Sequence, residues 1–435
     1  MLRTNDPNDS ARGKGAVFSL FLFFFALYVV FLFAYQLERR EFIWKNNPDY
    51  SHFFQTRVEG DELEFAQIAY NVRAKQFYSM DGRQPTAYRM PLFPLAVSII
   101  FLFTTDPLYG MILNCLLTAL IALLSFKIAR LFWSYKVSLI CMIMVGLRPA
   151  AFGTYLNFCS EPMYSLMLLC SLYYFCRLIR ERTSANASWV GVFSGLTTLS
   201  RAEGILLIPI YFLYMVYSGH FKKRLPLSTI GCFLICSLTI IAPWAARNYL
   251  SMNYLGMSTG SGDVFAGAHN KRILDRHPGS WGGFPSYASP EEIALVSEMD
   301  EVTAADYKWQ RGWTVLKEYS YSYLLFVEVK KLFNTFRPTF NMLETQMNKK
   351  LNWILVSPFF IFYLLFLGHL KTFLKEYSML MLPWIIPITV TLIFWGTERW
   401  RMPCEPIAFM LMTAHLLTWL SNKYPSSKFS TYLTT

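Results

Sequence analysis

The sequence predicts an all-α protein that crosses a membrane about ten times, with two long loops on one side. Three observations carry that prediction: long apolar runs, a composition poor in charge, and a basic excess confined to alternate loops. The chain is 54% hydrophobic, 17% aromatic and only 16% charged, where soluble domains hold about 25% charged residues. Residues 16–35, AVFSLFLFFFALYVVFLFAY, are long enough to cross a hydrocarbon core of roughly 30 Å as a helix. The run is too long for the apolar region of a signal peptide and no small-residue cleavage site follows it, so it reads as a retained anchor.

Further apolar runs lie at 107–132, 136–152, 159–180, 188–200, 203–218, 226–245, 351–370, 378–397 and 402–420, which with the first makes ten. Residues 90–103 (MPLFPLAVSIIFLF) are ambiguous, because counting them as a span inverts every later loop. The positive-inside rule decides. With a cytoplasmic N-terminus and ten spans, the inner loops hold Arg3, Arg12, Lys14, Lys127, Arg130, Lys136, Arg177, Arg180, Arg182, Lys222, Lys223, Arg224, Lys371, Lys375, Lys423 and Lys428. Against these sixteen stand only Asp6, Asp9, Glu181 and Glu376, and the difference is the whole +12 of the chain. Residues 90–103 therefore read as a juxtamembrane or re-entrant helix on the outer face. Arg39, Arg40 and Lys45 run against the rule and are partly neutralised by Glu38 and Glu41.

The expected organisation is a cytoplasmic N-terminus (1–15), a transmembrane module (16–245) containing the first outer loop (36–106), a second outer loop (246–350), C-terminal transmembrane helices (351–420) and a cytoplasmic tail (421–435). The basic balance is an orientation signal; no basic stripe or zinc-finger spacing points to nucleic acid. The eight Cys lie in or beside apolar runs and read as small hydrophobes; a Cys159–Cys404 bridge on the outside is conceivable, but nothing in the sequence supports it. Asn186-Ala-Ser matches a glycosylation sequon but maps to the cytoplasmic side. No internal repeat or inverted half is visible.

In the first outer loop, Leu63, Phe65, Ile68, Ala69 and Val72 are apolar at helical spacing among Asp61, Glu62, Glu64 and Arg73. The second begins Pro243-Trp-Ala-Ala-Arg247-Asn248, passes a Gly/Ser-rich stretch at 257–263, and reaches His269 and Asn270. A helical stretch then runs from Pro290 to about Phe336, with Ser289 as N-cap, Pro at the first position and Glu291 and Glu292 in the first turn.

The carboxylates Asp61 and Glu62 are the first candidates for chemistry. Acids at a membrane surface are costly to desolvate and suit a site where an acceptor hydroxyl or amine is oriented or loses its proton. Solvated faces of an interfacial helix would look the same; half of a glycosidase pair or a divalent-cation site also fits. Glu161, capped by Ser160 at the mouth of the fourth span, is either a helix N-terminal charge or a second acid of the site. Proximity to Asp61 would raise one of their pKa values. Outer-face arginines form a third set: Arg89, Arg148, Arg201, Arg247, Arg399 and Arg401. They suit phosphate oxygens, or snorkel to headgroups. Arg201 and Glu203 put opposite charges within the membrane outline and are expected to pair or face a cavity. Tyr88, His269 and Asn270 are candidate substrate contacts. The six His show no metal spacing, so no metal ligand is assigned.

Taken together, these segments resemble the GT-C glycosyltransferases of the protein O-mannosyltransferase and aminoarabinose-transferase type (glycosyltransferase family 39-like). The resemblance rests on Gly60-Asp61-Glu62, Tyr88-Arg89-Met-Pro91-Leu-Phe-Pro94, Arg201 after Gly195-Leu-Thr-Thr-Leu-Ser200, Pro243-Trp244-Ala-Ala-Arg247-Asn248, and Glu398-Arg399-Trp-Arg401-Met-Pro403-Cys-Glu-Pro406. It covers about 16–420. It implies the GT-C fold, a polyprenyl-phosphate sugar donor, an extracytoplasmic site, inversion at the anomeric carbon, and no cofactor, with a divalent cation not favoured. Asp61 would be the central acid, Glu161 the second, and Arg89 the basic residue before the prolines. Arg201, Arg247, Arg399 and Arg401 would hold the donor phosphate. The chain departs from the pattern in carrying Glu161 where many relatives carry Asp, in carrying Arg89 where the aminoarabinose transferases carry Lys, and in having no large soluble domain within this sequence, which argues against a protein O-mannosyltransferase proper. The acceptor, whether lipid, glycan or protein, stays open. A polyprenyl-linked glycan polymerase or ligase is the alternative enzyme, and a secondary transporter the non-enzyme rival. Charges gathered at one surface rather than the midplane argue against transport. A bacterial inner or plasma membrane is the expected location.

Overall fold

The structure, a computed structural model, describes residues 14–46, 58–217, 225–337 and 349–424. Arg3, Arg12, Lys222, Lys223, Arg224 and Lys428 lie outside the described residues, as do the side chains of Arg39, Arg40 and Lys45. Among the described residues every regular element is helical.

Helix α1 (Lys14–Asn46) buries a stripe at four-residue spacing, Phe24, Tyr28 and Leu32, and turns Phe18, Phe23, Val30 and Phe33 outward. A helix apolar on every face fits a lipid surround. The Tyr28 hydroxyl donates to the Gly146 carbonyl at 2.6 Å, which satisfies both groups where no water can. The first long loop folds into α2 (Asp61–Lys75) and α3 (Leu92–Ile100). Nine residues give α3 a length of about 14 Å, short of the roughly 30 Å core, so residues 90–103 form no span. Edge-to-face contacts of Phe93 with Phe65 and Phe158, both at 5.3 Å, fasten α2 and α3 to the bundle.

Helices α4 (Leu108–Ala129), α5 (Tyr135–Gly146), α6 (Glu161–Glu181), α7 (Ser184–Ser200), α8 (Leu207–Tyr217) and α9 (Leu227–Met252) follow. The expected span 136–152 is α-helical only to Gly146; a short 3-10 turn, Pro149–Phe152, completes it, and a second, Thr154–Leu156, follows. Pro149 cannot continue the ladder, and irregular backbone survives at membrane depth where protein covers it. Phe152 does the covering, packed against Phe31 at 5.0 Å and Tyr28 at 5.3 Å. Ser160 does not cap α6 through its side chain, as the sequence suggested; its hydroxyl makes no cap bond. Helix α9 continues through Pro243 to Met252, past the expected end at 245.

Helix α7 lies against α6 and α9. Its closest approach uses glycines one turn apart. A Cβ on Gly191 would sit 2.3 Å from the Phe233 carbonyl oxygen, and one on Gly195 2.6 Å from Ile240 Cβ. Small residues at this spacing let two helices touch backbone to backbone, a main source of association in lipid.

The second long loop folds into α10 (Gly260–Ala268), α11 (Lys271–Arg276), α12 (Pro290–Ser297), α13 (Glu301–Leu316) and α14 (Tyr321–Phe336). The Gly/Ser-rich stretch is therefore helix rather than flexible linker from residue 260 on. Its glycines serve packing: a Cβ on Gly262 would meet the Ala305 carbonyl oxygen at 2.5 Å, and one on Gly267 would meet Trp281 at 2.1 Å. The Ser289 hydroxyl caps α12 by accepting from the Glu292 amide, as the sequence suggested.

The chain ends in α15 (Lys349–Gly368), α16 (Leu370–Glu376), α17 (Ser378–Met381), α18 (Ile385–Ile393), α19 (Glu398–Arg401) and α20 (Glu405–Lys423). It bends by 119° between α16 and the Ser378–Ile393 pair. Among the described residues, four helices (α1, α4, α6, α9) are long and apolar enough to cross a membrane, or five if the bent pair counts as one span. The stretches Tyr135–Gly146, Ala202–Tyr217 and Phe359–Gly368 are apolar but shorter. All eight cysteines are free; the Cys159 and Cys404 thiols donate separately to the Thr154 and Pro383 carbonyls, so no bridge joins them.

The glycine contact gives a direct test. Gly191→Ala should cost about 1–3 kcal/mol by overpacking, whereas Gly231→Ala on α9, which has open space around it, should cost nothing. Thermal melts of the two variants in detergent measure the difference; equal melting temperatures would refute the backbone contact.

Candidate active site

Helix α2 begins at Asp61 directly after Gly60, whose φ of +55° is a conformation glycine adopts without strain. Asp61 and Glu64, three residues apart, share a face of α2. That face meets Arg89, which enters from the segment leading into α3. Arg89 Nη2 donates to Asp61 Oδ1 at 2.5 Å and Arg89 Nε to Glu64 Oε2 at 2.6 Å. From the other side, Arg399 in α19 donates through Nη1 to Asp61 Oδ2 at 2.9 Å and through Nε to Glu161 Oε1. Glu161, at the first position of α6, also receives Arg201 Nη1 at 2.9 Å. Arg201 Nε ends the row on Glu203 Oε1 at 2.5 Å.

The result is one alternating ladder: Glu203, Arg201, Glu161, Arg399, Asp61, Arg89, Glu64. Four carboxylates and three guanidiniums come from five separate chain segments. Aromatic rings flank it, with Arg89 lying 5.1 Å from the Tyr88 ring and 5.3 Å from Phe65, and Arg201 5.4 Å from Trp400. Exposure is least at Glu161 and greatest at Asp61. Glu161 is 1% exposed while Asp61 is 37% exposed. The ladder is thus rooted in the bundle and opens at Asp61.

Burial works against the Asp61 charge, but Arg89 and Arg399 outweigh it and hold the carboxyl well below the usual range. The rise expected from Asp61 beside Glu161 is reversed because Arg399 stands between them. The carboxyl pushed upward is Glu64, by burial that its contact with Arg89 only partly offsets.

The other candidates fall elsewhere. Glu62, one residue and about 100° round α2 from Asp61, is buried on another side of the helix; Glu64 takes the place beside Asp61 that the sequence reading gave to Glu62. Arg401 is fully buried, donating to Glu405 at 3.1 Å and to the Thr335 and Arg337 carbonyls at 2.6 and 2.7 Å. Arg247 is spent on the Thr86 and Tyr78 carbonyls at 2.7 and 2.8 Å. Arg148 is fully buried, with Nη1 donating to the Val145 carbonyl at 2.8 Å and the Tyr155 ring 4.9 Å away. Asn270 is consumed as the cap of α11, accepting from the Ile273 amide and donating to the Ala266 and Gly267 carbonyls. His269 is 3% exposed; Lys331 Nζ lies 2.9 Å from its Nε2, and its Nδ1 faces the Phe265 carbonyl. Tyr88 borders the ladder only through its ring. Among the described residues no three His, Cys, Asp or Glu side chains are grouped as metal ligands.

Sequence reasoning expected Glu203 to pair with Arg201 or face a cavity, and it does pair; it named Glu64 without a role. Their spacing was the usable signal: Glu64 lies one helical turn from Asp61, and Glu203 two residues from Arg201.

Residues 88–246 match the family model described as dolichyl-phosphate-mannose-protein mannosyltransferase. Among solved structures, the Archaeoglobus fulgidus oligosaccharyltransferase in its apo form is similar at 14% identity and a TM-score of 0.52, over 93% of this chain and 51% of that one. Its complex with zinc and sulfate gives 16% identity and a TM-score of 0.50, over 92% and 49%. ArnT from Cupriavidus metallidurans bound to undecaprenyl phosphate gives 14% identity and a TM-score of 0.43, over 93% and 79%. The chain thus spans about half the length of the oligosaccharyltransferase it resembles. No curated protein sequence matches it.

Two outcomes follow from the electrostatics. Glu161→Gln removes the shared counter-charge of Arg201 and Arg399 and should cost about 3 kcal/mol, against at most about 1 kcal/mol for Glu181→Gln, which breaks a half-exposed pair with Arg177; thermal unfolding distinguishes them. Separately, burial and then the Lys331 ammonium push His269 down to about 3. Its folded pKa lies below the roughly 6.5 of an unfolded histidine, so protons favour the unfolded chain and stability drops as pH falls below about 6.5. The melting temperature should decline from about pH 7 to about pH 5, and His269→Gln should flatten that slope; a slope unchanged in the variant would contradict the assignment.

Proposed function

We propose that this chain, a polytopic membrane protein of the GT-C fold and the protein O-mannosyltransferase type, transfers a sugar from a polyprenyl-phosphate-linked donor to an acceptor on the extracytoplasmic face. The observation that carries this reading is Asp61, open to solvent and gripped on both oxygens by Arg89 and Arg399. A carboxylate that accepts from an incoming hydroxyl or amine then stands between two guanidiniums that fit phosphate oxygens.

The donor is a phosphodiester joining the anomeric carbon to a polyprenol. Its oxygens compete with Asp61 and Glu161 for Arg89 and Arg399, and Arg201 adds charge behind them. The acceptor donates a hydrogen bond to Asp61, which orients it. Its oxygen or nitrogen bonds to the anomeric carbon as the carbon–oxygen bond to phosphate breaks on the opposite side, inverting the centre. Polyprenyl phosphate departs with the electron pair, and the acceptor's proton passes to Asp61. While both guanidiniums hold it, Asp61 is a weak base. Their shift to the phosphate raises its basicity when the proton must be taken. A phosphate leaving group needs charge stabilisation more than acid catalysis, and preorganised guanidiniums supply it.

Arg201, Arg399 and Arg89 are the proposed phosphate contacts. Arg247 and Arg401, spent on carbonyls and Glu405, are withdrawn from that set. With the active site outside, both termini are cytoplasmic.

The assay is release of polyprenyl phosphate from single-sugar polyprenyl-phosphate donors by the purified protein. Asp61→Ala should lower turnover by at least about 100-fold while the protein elutes as folded in detergent. A fully active variant removes Asp61 from its role. Turnover only with lipid-linked oligosaccharides would point to the ligase reading instead.

A further inference from the structure

We infer that Glu301, in the second long loop, is the positioning residue that sets the Arg89 guanidinium against Asp61. This rests on the transfer reading for its purpose, and on geometry alone for its placement.

Arg89 sits in an irregular segment, Thr86–Arg89, between α2 and α3. An irregular segment has no ladder of its own, so each carbonyl must find a partner elsewhere. Here all four do. The Thr86 carbonyl accepts from Arg247 Nη1 at 2.7 Å, Ala87 from the Thr259 amide at 3.2 Å, Tyr88 from the Ser258 hydroxyl at 2.8 Å, and Arg89 from the Tyr78 hydroxyl at 2.9 Å. Three of these four donors come from the second long loop or the end of α9 leading into it. Arg89 is aimed by chain that lies far from it in sequence.

Glu301 closes the clamp. Its Oε1 accepts from the Ala87 amide at 2.8 Å and from the Thr259 hydroxyl at 2.6 Å; its Oε2 accepts from the Thr86 hydroxyl at 2.6 Å. One carboxylate therefore ties the Arg89 segment to the 258–260 turn that holds its other side. Glu301 is the first residue of α13, where a negative charge is also favoured by the helix dipole. It touches no member of the ladder, so its effect must pass through Arg89. Arg247, read from sequence as a phosphate contact, belongs to the same clamp.

A carboxamide can keep most of this geometry. The Gln carbonyl oxygen still accepts from the Ala87 amide, and the Thr86 hydroxyl can turn to accept from the new amide. Glu301→Gln should therefore behave as wild type where Glu301→Ala does not. Two measurements test this on the full chain in detergent. Hydrogen exchange of residues 86–89 should quicken in Glu301→Ala and stay as wild type in Glu301→Gln. Undecaprenyl phosphate, the probe, should bind about 10-fold more weakly to Glu301→Ala and to Arg89→Ala, with no further loss in the double variant, since residues acting through one group are not additive. Unchanged exchange in Glu301→Ala overturns the clamp. A Glu301→Gln as weak as Glu301→Ala, losses that add in the double variant, or a wild type that does not bind the probe each overturn the positioning role. A wild type that binds undecaprenyl phosphate yet releases none from any sugar donor defeats the transfer reading alone.

Discussion

A row of alternating charge fixes the rest of this molecule. Asp61, Arg89, Arg399, Glu161 and Arg201 each bond two partners, and the row ends on Glu64 and Glu203. An unpaired ion at this depth is expensive, so removing one member strands two others. Pairing along a row also forces its members to one place. Segments from α2, the approach to α3, α6, the turn after α7 and α19 must all arrive at the same end of the bundle. Chemistry and architecture share a constraint: the residues proposed to handle phosphate and acceptor are those that lock the helices together.

The packing below serves that convergence. Helix α6 carries Glu161 at its tip and is lined on one side by α7, whose Gly191 and Gly195 bring α9 close. The end of α7 delivers Arg201, and the end of α9 delivers Arg247 to the Arg89 segment. Phe93 joins α2 and α3 to Phe158, immediately before α6. Buried Arg401 holds the end of α14 through the Thr335 and Arg337 carbonyls, which sets the turn bearing Arg399. The second long loop is thus built into the site rather than draped over it.

Several candidate side chains are held away from the ladder for one shared reason. Arg247 and Arg401 suit phosphate oxygens, and His269 and Asn270 suit substrate hydroxyls, but each is also a polar group that is costly to bury. The cost was real, but backbone carbonyls and a buried Lys331 meet it. A sequence shows which groups need partners and not which partners they find. Glu62 and Glu64 illustrate the same point at short range, since a helix phase that no single residue reveals decides which acid stands beside Asp61.

By itself the sequence determined the membrane class, the helical architecture and the short α3, because apolar length, net charge by loop and turn chemistry are local properties summed along the chain. It could not determine the ladder's order, the place of Glu64 and Glu203 in it, or the hold of Glu301 on Thr86 and Ala87. Those contacts join residues up to 338 positions apart. Only the folded packing of helices brings such charges within hydrogen-bonding distance, where each partner offsets part of the cost of taking the other out of water.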